Sequence, residues 1–176
     1  MASEIAELRK RLGSSEVAER RQAAETLAQM GEEAAEAARE LVNAAGDADE
    51  QVREWAVGAL EALGPPAAGL TSGLVEQLAN PRADAAYWAA TLLGRLGGEA
   101  QAASGPLAKL VQQAGAAAVR QRSAWALGKI GEGIAGEVDG GTRAAVQASL
   151  SQAAEDGDAQ LARQAREALK PWSAAS

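Results

Sequence analysis

Four glycines, Gly31, Gly64, Gly97 and Gly131, stand 33, 33 and 34 residues apart, and each closes a similar apolar run. The runs are AETLAQMG, VREWAVGALEALG (52–64), AAYWAATLLGRLG (85–97) and VRQRSAWALGKIG (119–131). A fixed period of this size marks a stack of supersecondary units, none of which can bury its apolar face alone. It constrains the fold more than any single residue does. A stack gains stability from neighbour to neighbour and tolerates a thin interior. The composition agrees: 47% of the residues are hydrophobic, yet there is no Phe, and alanine-lined helices pack closely as thin layers.

Read in order, the chain predicts one all-α domain over 1–176, built from about five antiparallel helix pairs at 3–31, 32–64, 65–97, 98–131 and 132–172. In the first pair Ile5, Leu8 and Leu12 fall at helical spacing and Gly13 follows as a stop. Ser14 and Ser15 are N-cap candidates for the next helix. The second pair begins at Glu32 with acids in its first turn, where they complement the helix dipole. Asp49 caps the helix that buries Val52, Ala56, Ala59, Leu60 and Leu63 and ends at Gly64. Pro65-Pro66 suits the first turn of the third pair.

The first helices repeat as well. Leu74 and Val75 stand 33 residues after Leu41 and Val42, and Leu107, Leu110 and Val111 continue the series. The fifth unit departs: GEGIAGEVDGG (131–141) reads as a surface connection, and Asp158 precedes Leu161 as Asp49 precedes Val52. Trp172 takes the slot of Leu63 and Ile130, as a core plug in a terminal capping unit. Arg53 and Arg120 read as structural arginines that bond caps or carbonyls of a neighbouring unit.

Val52-Arg53, Ala56, Ala59-Leu60 and Leu63-Gly64 resemble HEAT repeats of the short, phycobiliprotein-lyase type, and Val119-Arg120, Ala126-Leu127-Gly128 and Ile130-Gly131 fit that pattern better still. The resemblance covers nearly the whole chain, as four good repeats and a divergent fifth. It implies a right-handed α-α superhelix, a HEAT/armadillo-like solenoid. For function it implies a choice among scaffolds, bilin lyases or chaperones that bind a small aromatic ligand, iron hydroxylases and alkyl-DNA glycosylases. The hydroxylase branch holds iron with His-Glu pairs, and this chain has no His.

The residue inventory narrows the chemistry. With neither Cys nor His, the chain lacks thiolate nucleophiles and the commonest general base and metal ligand. No catalytic, cofactor or metal site is expected. The net charge of −7 disfavours nucleic acid, whose binders usually show a basic footprint. That charge is uneven: residues 1–64 carry fourteen acids and seven bases, whereas 65–130 carry three acids and six bases. No stretch is apolar enough to span a bilayer. The start, MASEIAELRKRLG, has no apolar h-region, so cytoplasm is the favoured compartment.

In solenoids of this kind, the resemblance implies, the second helix of each pair lines the concave surface. The faces of those helices not turned to the core then carry Trp55, Tyr87, Trp88, Thr91, Arg95, Arg122, Trp125 and Lys129. Aromatic side chains with basic flanks are what binding hot spots are made of. The competing reading is that the large aromatics only fill space between ridges, burying about 150–250 Å² each. The favoured expectation is a monomeric, non-enzymatic scaffold that grips a protein or peptide, an acidic segment suiting the basic centre. A small aromatic ligand and, behind it, DNA held by stacking are the alternatives.

Overall fold

The computed structural model describes residues 2–134 and 138–173, and over these the chain is helical without strands. Its α-helices are α1 (Ala2–Leu12), α2 (Val17–Met30), α3 (Ala38–Ala44), α4 (Glu50–Ala62) and α5 (Thr71–Gln77), then α6 (Ala83–Leu96), α7 (Ser104–Gln113), α8 (Ala117–Gly133), α9 (Gly140–Ala153) and α10 (Ala159–Ser173). Short 3-10 segments, Gly31–Ala37, Ala68–Leu70 and Gly97–Ala103, lead into α3, α5 and α7. The arrangement is the expected solenoid of helix pairs.

The boundaries show what the period could and could not specify. Gly31 and Gly97 have φ of 57°, a left-handed conformation that favours glycine and ends α2 and α6. Gly64 and Gly131 do not end their helices in this way. Leu63 closes α4 in extended conformation, and α8 runs on through Gly131 to Gly133. Gly131 is there for room: a Cβ on it would lie 2.5 Å from Trp172 Nε1. Neither serine caps α2; Glu16 holds that position, and Ser14 Oγ accepts from the Glu16 N–H at 3.1 Å. Pro65 and Pro66 precede the third pair instead of opening its first turn. The connection after α8 lies partly outside the described residues, at 135–137.

Burial follows the predicted stripes. Val52, Ala56, Ala59, Leu60 and Leu63 are all buried, as are Leu74, Leu107, Val111 and Leu161. Val75 and Leu110 are only partly buried. Trp172 is 2% exposed, and its Nε1 donates to the Leu127 carbonyl at 2.8 Å.

Adjacent second helices approach closely where both carry small residues. A Cβ on Gly94 would sit 3.1 Å from Ala126 Cα, and one on Gly128 would sit 3.1 Å from Ala168 Cα. By the period, the matching pair between α2 and α4 is Ala28 with Ala59. Between α4 and α6 it is Glu61 with Leu92, and here the approach fails. α2 packs on α4, α6 on α8 and α8 on α10, whereas α6 meets the preceding pair mainly through α3. Glutamate cannot enter that seam without losing its hydration, so it stays exposed and holds the helices apart.

Polar side chains tie successive pairs together at the loop end. Arg20 donates to both Asp47 oxygens, at 2.9 and 3.0 Å, and Arg120, three repeats on, pairs with Asp156 in the same way. Arg21 grips Asp49 while Asp49 caps α4 by accepting from the Val52 N–H at 3.1 Å. Gln121 bonds Asp158, which caps α10 through the Leu161 N–H. Arg53 takes the Asp47 and Ala48 carbonyls, within its own pair rather than a neighbour's.

These bonds stabilise carboxylates. The hydrogen bond from Arg21, helped by the Val52 N–H and opposed by burial, holds the Asp49 carboxyl well below its ordinary range. Asp156 and Asp158 are lowered mainly by the backbone N–H groups of Asp158 and Leu161. Groups lowered on folding contribute stability above their unfolded value, near ~4, and lose it as pH falls toward the folded values. The melting temperature should therefore hold at neutral pH and fall steadily below about pH 4. Asp49→Asn keeps a capping side chain but loses the charge, so its melting curve should be shallower in pH than that of the parent. Equal slopes would remove Asp49 from the account.

Candidate functional site

The second helices bring the eight predicted residues together unequally. Trp55 stands on the solvent-facing side of α4 at 39% exposure. Trp88, expected beside it on the surface, is 9% exposed and belongs to the apolar cluster. Thr91 is likewise buried, its hydroxyl donating back to the Tyr87 carbonyl at 2.8 Å. Both corrections have one cause. Helix α6 buries most of its circumference between its neighbours, so positions that face outward on α4 face protein on α6.

The three predicted cations are also engaged. Arg95 donates to the Leu60 and Leu63 carbonyls at 2.8 and 2.7 Å, closing the C-terminal end of α4 across the loose seam. Burial first, then the neighbouring Arg122, hold its guanidinium below the ordinary value, with Glu61 opposing. Arg122 lies between two rings, 4.6 Å from the Tyr87 centroid and 5.0 Å from that of Trp125, and donates to the Tyr87 hydroxyl. Such stacking stabilises a guanidinium by about 0.5–2 kcal/mol according to its desolvation. Lys129 pairs with Glu132 at 2.8 Å. Of the three cations in the strip expected from the sequence, Lys129 is ion-paired, Arg95 is held by carbonyls and Arg122 by ring faces.

Trp125 is partly buried because its ring lies over Gly94, where a Cβ would be 2.4 Å from Cζ3. The remaining edge opens onto a groove of about 590 Å³ between α8 and α10. Gly128, with no side chain, and Ala168, with only a methyl, form part of its lining, and Trp125 and Pro171 supply apolar surface. Its charged lining includes two ion pairs, Lys129–Glu132 and Lys170–Glu167. Gln164 also lines it, and its Oε1 is buried without a hydrogen-bond partner among the described residues. An unpartnered acceptor in a groove suits a ligand that brings an N–H.

The projection along the period carries Arg163, Gln164, Glu167 and Pro171 to this same face. Selection by aromatic content passed over them. The small residues that open the groove, Gly128 and Ala168, were visible only as repeat-pattern positions.

A family profile described as HEAT repeats matches residues 5–69. No curated protein matches the chain. Among solved structures, one engineered protein is similar at 21% identity with a TM-score of 0.65, over 99% of this chain and 81% of that one. A designed armadillo repeat protein in complex with the peptide (KR)4 is similar at 18% identity and a TM-score of 0.64, over 97% and 82%. A set of computationally designed armadillo repeat proteins for modular peptide recognition matches at 18% identity and 0.61, over 95% and 81%. The fold is therefore that of HEAT and armadillo-like repeat solenoids.

Proposed function

We propose that this solenoid is a non-enzymatic scaffold that holds a protein or peptide segment along the face of its second helices, anchored in the groove beside Trp125. The groove carries the reading: an aromatic edge, a small-residue lining and an unpartnered acceptor converge at one place. Such anchors dominate the energetics of recognition. The peptide complex of the designed armadillo repeat protein supports a peptide as the kind of ligand this fold can carry.

Affinity capture from the native host tests it. Trp125→Ala should weaken capture of the main partner by roughly thirtyfold, the equivalent of ~2 kcal/mol. Lys109→Ala, an exposed change on α7, should leave capture intact. Circular dichroism must show both variants folded. Equal capture by all three proteins would remove the groove from the account.

A further inference from the structure

Three cations line the groove between α8 and α10, and two are already paired. Lys129 holds Glu132 and Lys170 holds Glu167, each within its own helix. Arg163 lines the same groove, is exposed, and has no acceptor among the described residues. The lining therefore keeps one positive charge over. Next to it, Gln164 carries the buried Oε1 that lacks a partner. Both residues stand level with Trp125. Gln121 meets Asp158 and Gly128 meets Ala168 across the two helices, and Trp125 lies between the first two as Arg163 and Gln164 lie between the others. One turn before Trp125, the Gln121–Asp158 hydrogen bond of 2.7 Å joins the start of α10 to α8. From that tie the groove runs toward Lys170 and Pro171.

From this we infer that the groove takes the C-terminal residue of a partner polypeptide, with its free carboxylate on Arg163 and its apolar side chain against the Trp125 edge. The inference rests on the groove reading proposed above. A guanidinium presents paired N–H donors that match a carboxylate, and such charged hydrogen bonds are stronger than neutral ones. A last residue carries its carboxylate and its own N–H on one Cα. The N–H can then give the Gln164 amide the partner it lacks while the carboxylate holds Arg163. A Glu or Asp side chain sets those two groups further apart. The Gln121–Asp158 tie also obstructs a chain that runs on, whereas a chain end stops short of it. Nearby acids do not compete for Arg163: Glu132 and Glu167 are paired, and Asp158 accepts from Gln121 and from the Gln160 and Leu161 N–H groups. The net charge of −7 repels a carboxylate at long range, so the selectivity comes from this contact.

Fluorescence anisotropy can compare N-terminally labelled hexapeptides of glycine and serine ending in Leu-Phe: the free acid, its C-terminal amide, and an amide with Glu placed just before Leu-Phe. At ~150 mM salt, where charges more than about 8 Å away are largely screened, the free acid should bind about tenfold tighter than the plain amide. Arg163→Gln should cut that ratio below about twofold and leave the amide's affinity unchanged, which also reports a folded groove. Lys109→Gln removes an exposed cation of α7 that does not line the groove, and the tenfold ratio should persist. Equal binding of acid and amide, a ratio that survives Arg163→Gln, a Glu-bearing amide as tight as the free acid, or no binding of any peptide would overturn the inference. Trp125-dependent capture that persists through such a failure would leave the scaffold reading standing and remove only the carboxylate anchor.

Discussion

Trp172→Ala should cause the largest loss of stability of any single change considered for this chain. The side chain is 2% exposed, fits against Gly131, and donates to the Leu127 carbonyl. Truncating a buried tryptophan costs about 3–5 kcal/mol, because transfer free energy and a residual cavity add. The loss should appear first in the fifth pair. Arg143 and Gln147 of α9 both donate to the Trp172 carbonyl, at 3.0 and 2.8 Å, so the residue joins α8, α9 and α10. A repeat stack can fray from its end, and hydrogen exchange should rise in α9 and α10 before the central pairs. Trp172→Phe keeps much of the volume and should lose only the hydrogen bond and part of the packing, about 1–2 kcal/mol. A thermal melt unchanged by Trp172→Ala would refute the core-plug assignment.

Gly128→Leu should also destabilise, though less, against the direction that helix propensity alone would give. Leucine favours a helix over glycine by about 0.8 kcal/mol. Packing decides otherwise. A Cβ at 128 would already lie 3.1 Å from Ala168 Cα and 3.2 Å from its Cβ, so a leucine there must push α10 away even if its outer carbons turn into the adjoining groove. Overpacking of this kind costs about 1–3 kcal/mol or more, so the net sign is destabilising. Gly58→Ala, with open space around it, should instead stabilise by about 0.5–1 kcal/mol. Denaturant unfolding of the two variants compares them directly. The same sign for both would mean that α8 and α10 are not in the close contact described.

Much of this fold was legible in the period. The glycine spacing gave the helix pairs, and the buried stripes fell where Val52, Ala56 and Leu60 and their equivalents stand. Asp49 and Asp158 cap as their positions imply, because an N-cap needs only an oxygen at a fixed offset. The closing glycines were read too uniformly. Only Gly31 and Gly97 turn the chain, while Gly131 makes room for Trp172, a distinction that depends on a residue one unit away.

The site was less legible, for a similar reason. Helical projection assigns each residue an outward or inward face, but neighbours decide whether outward means solvent. Trp55 and Trp88 occupy equivalent positions in the period, yet α4 stands apart from α6 whereas α6 is enclosed. Reading Glu61 and Leu92 against Ala28 and Ala59 would have located the loose seam from sequence. Nothing comparable could have shown that Arg95 reaches back to the Leu60 and Leu63 carbonyls or that Arg122 lies between two rings. Charge alone suggested a basic strip; its partners had already claimed it.

The most direct test of the binding face is hydrogen–deuterium exchange on the full chain, alone and with its captured partner. Protection should rise in α4, α8 and α10, where Trp55 and the Trp125 groove lie, and leave α1, α3, α7 and α9 unchanged. Protection confined to the first helices of the pairs would contradict the account.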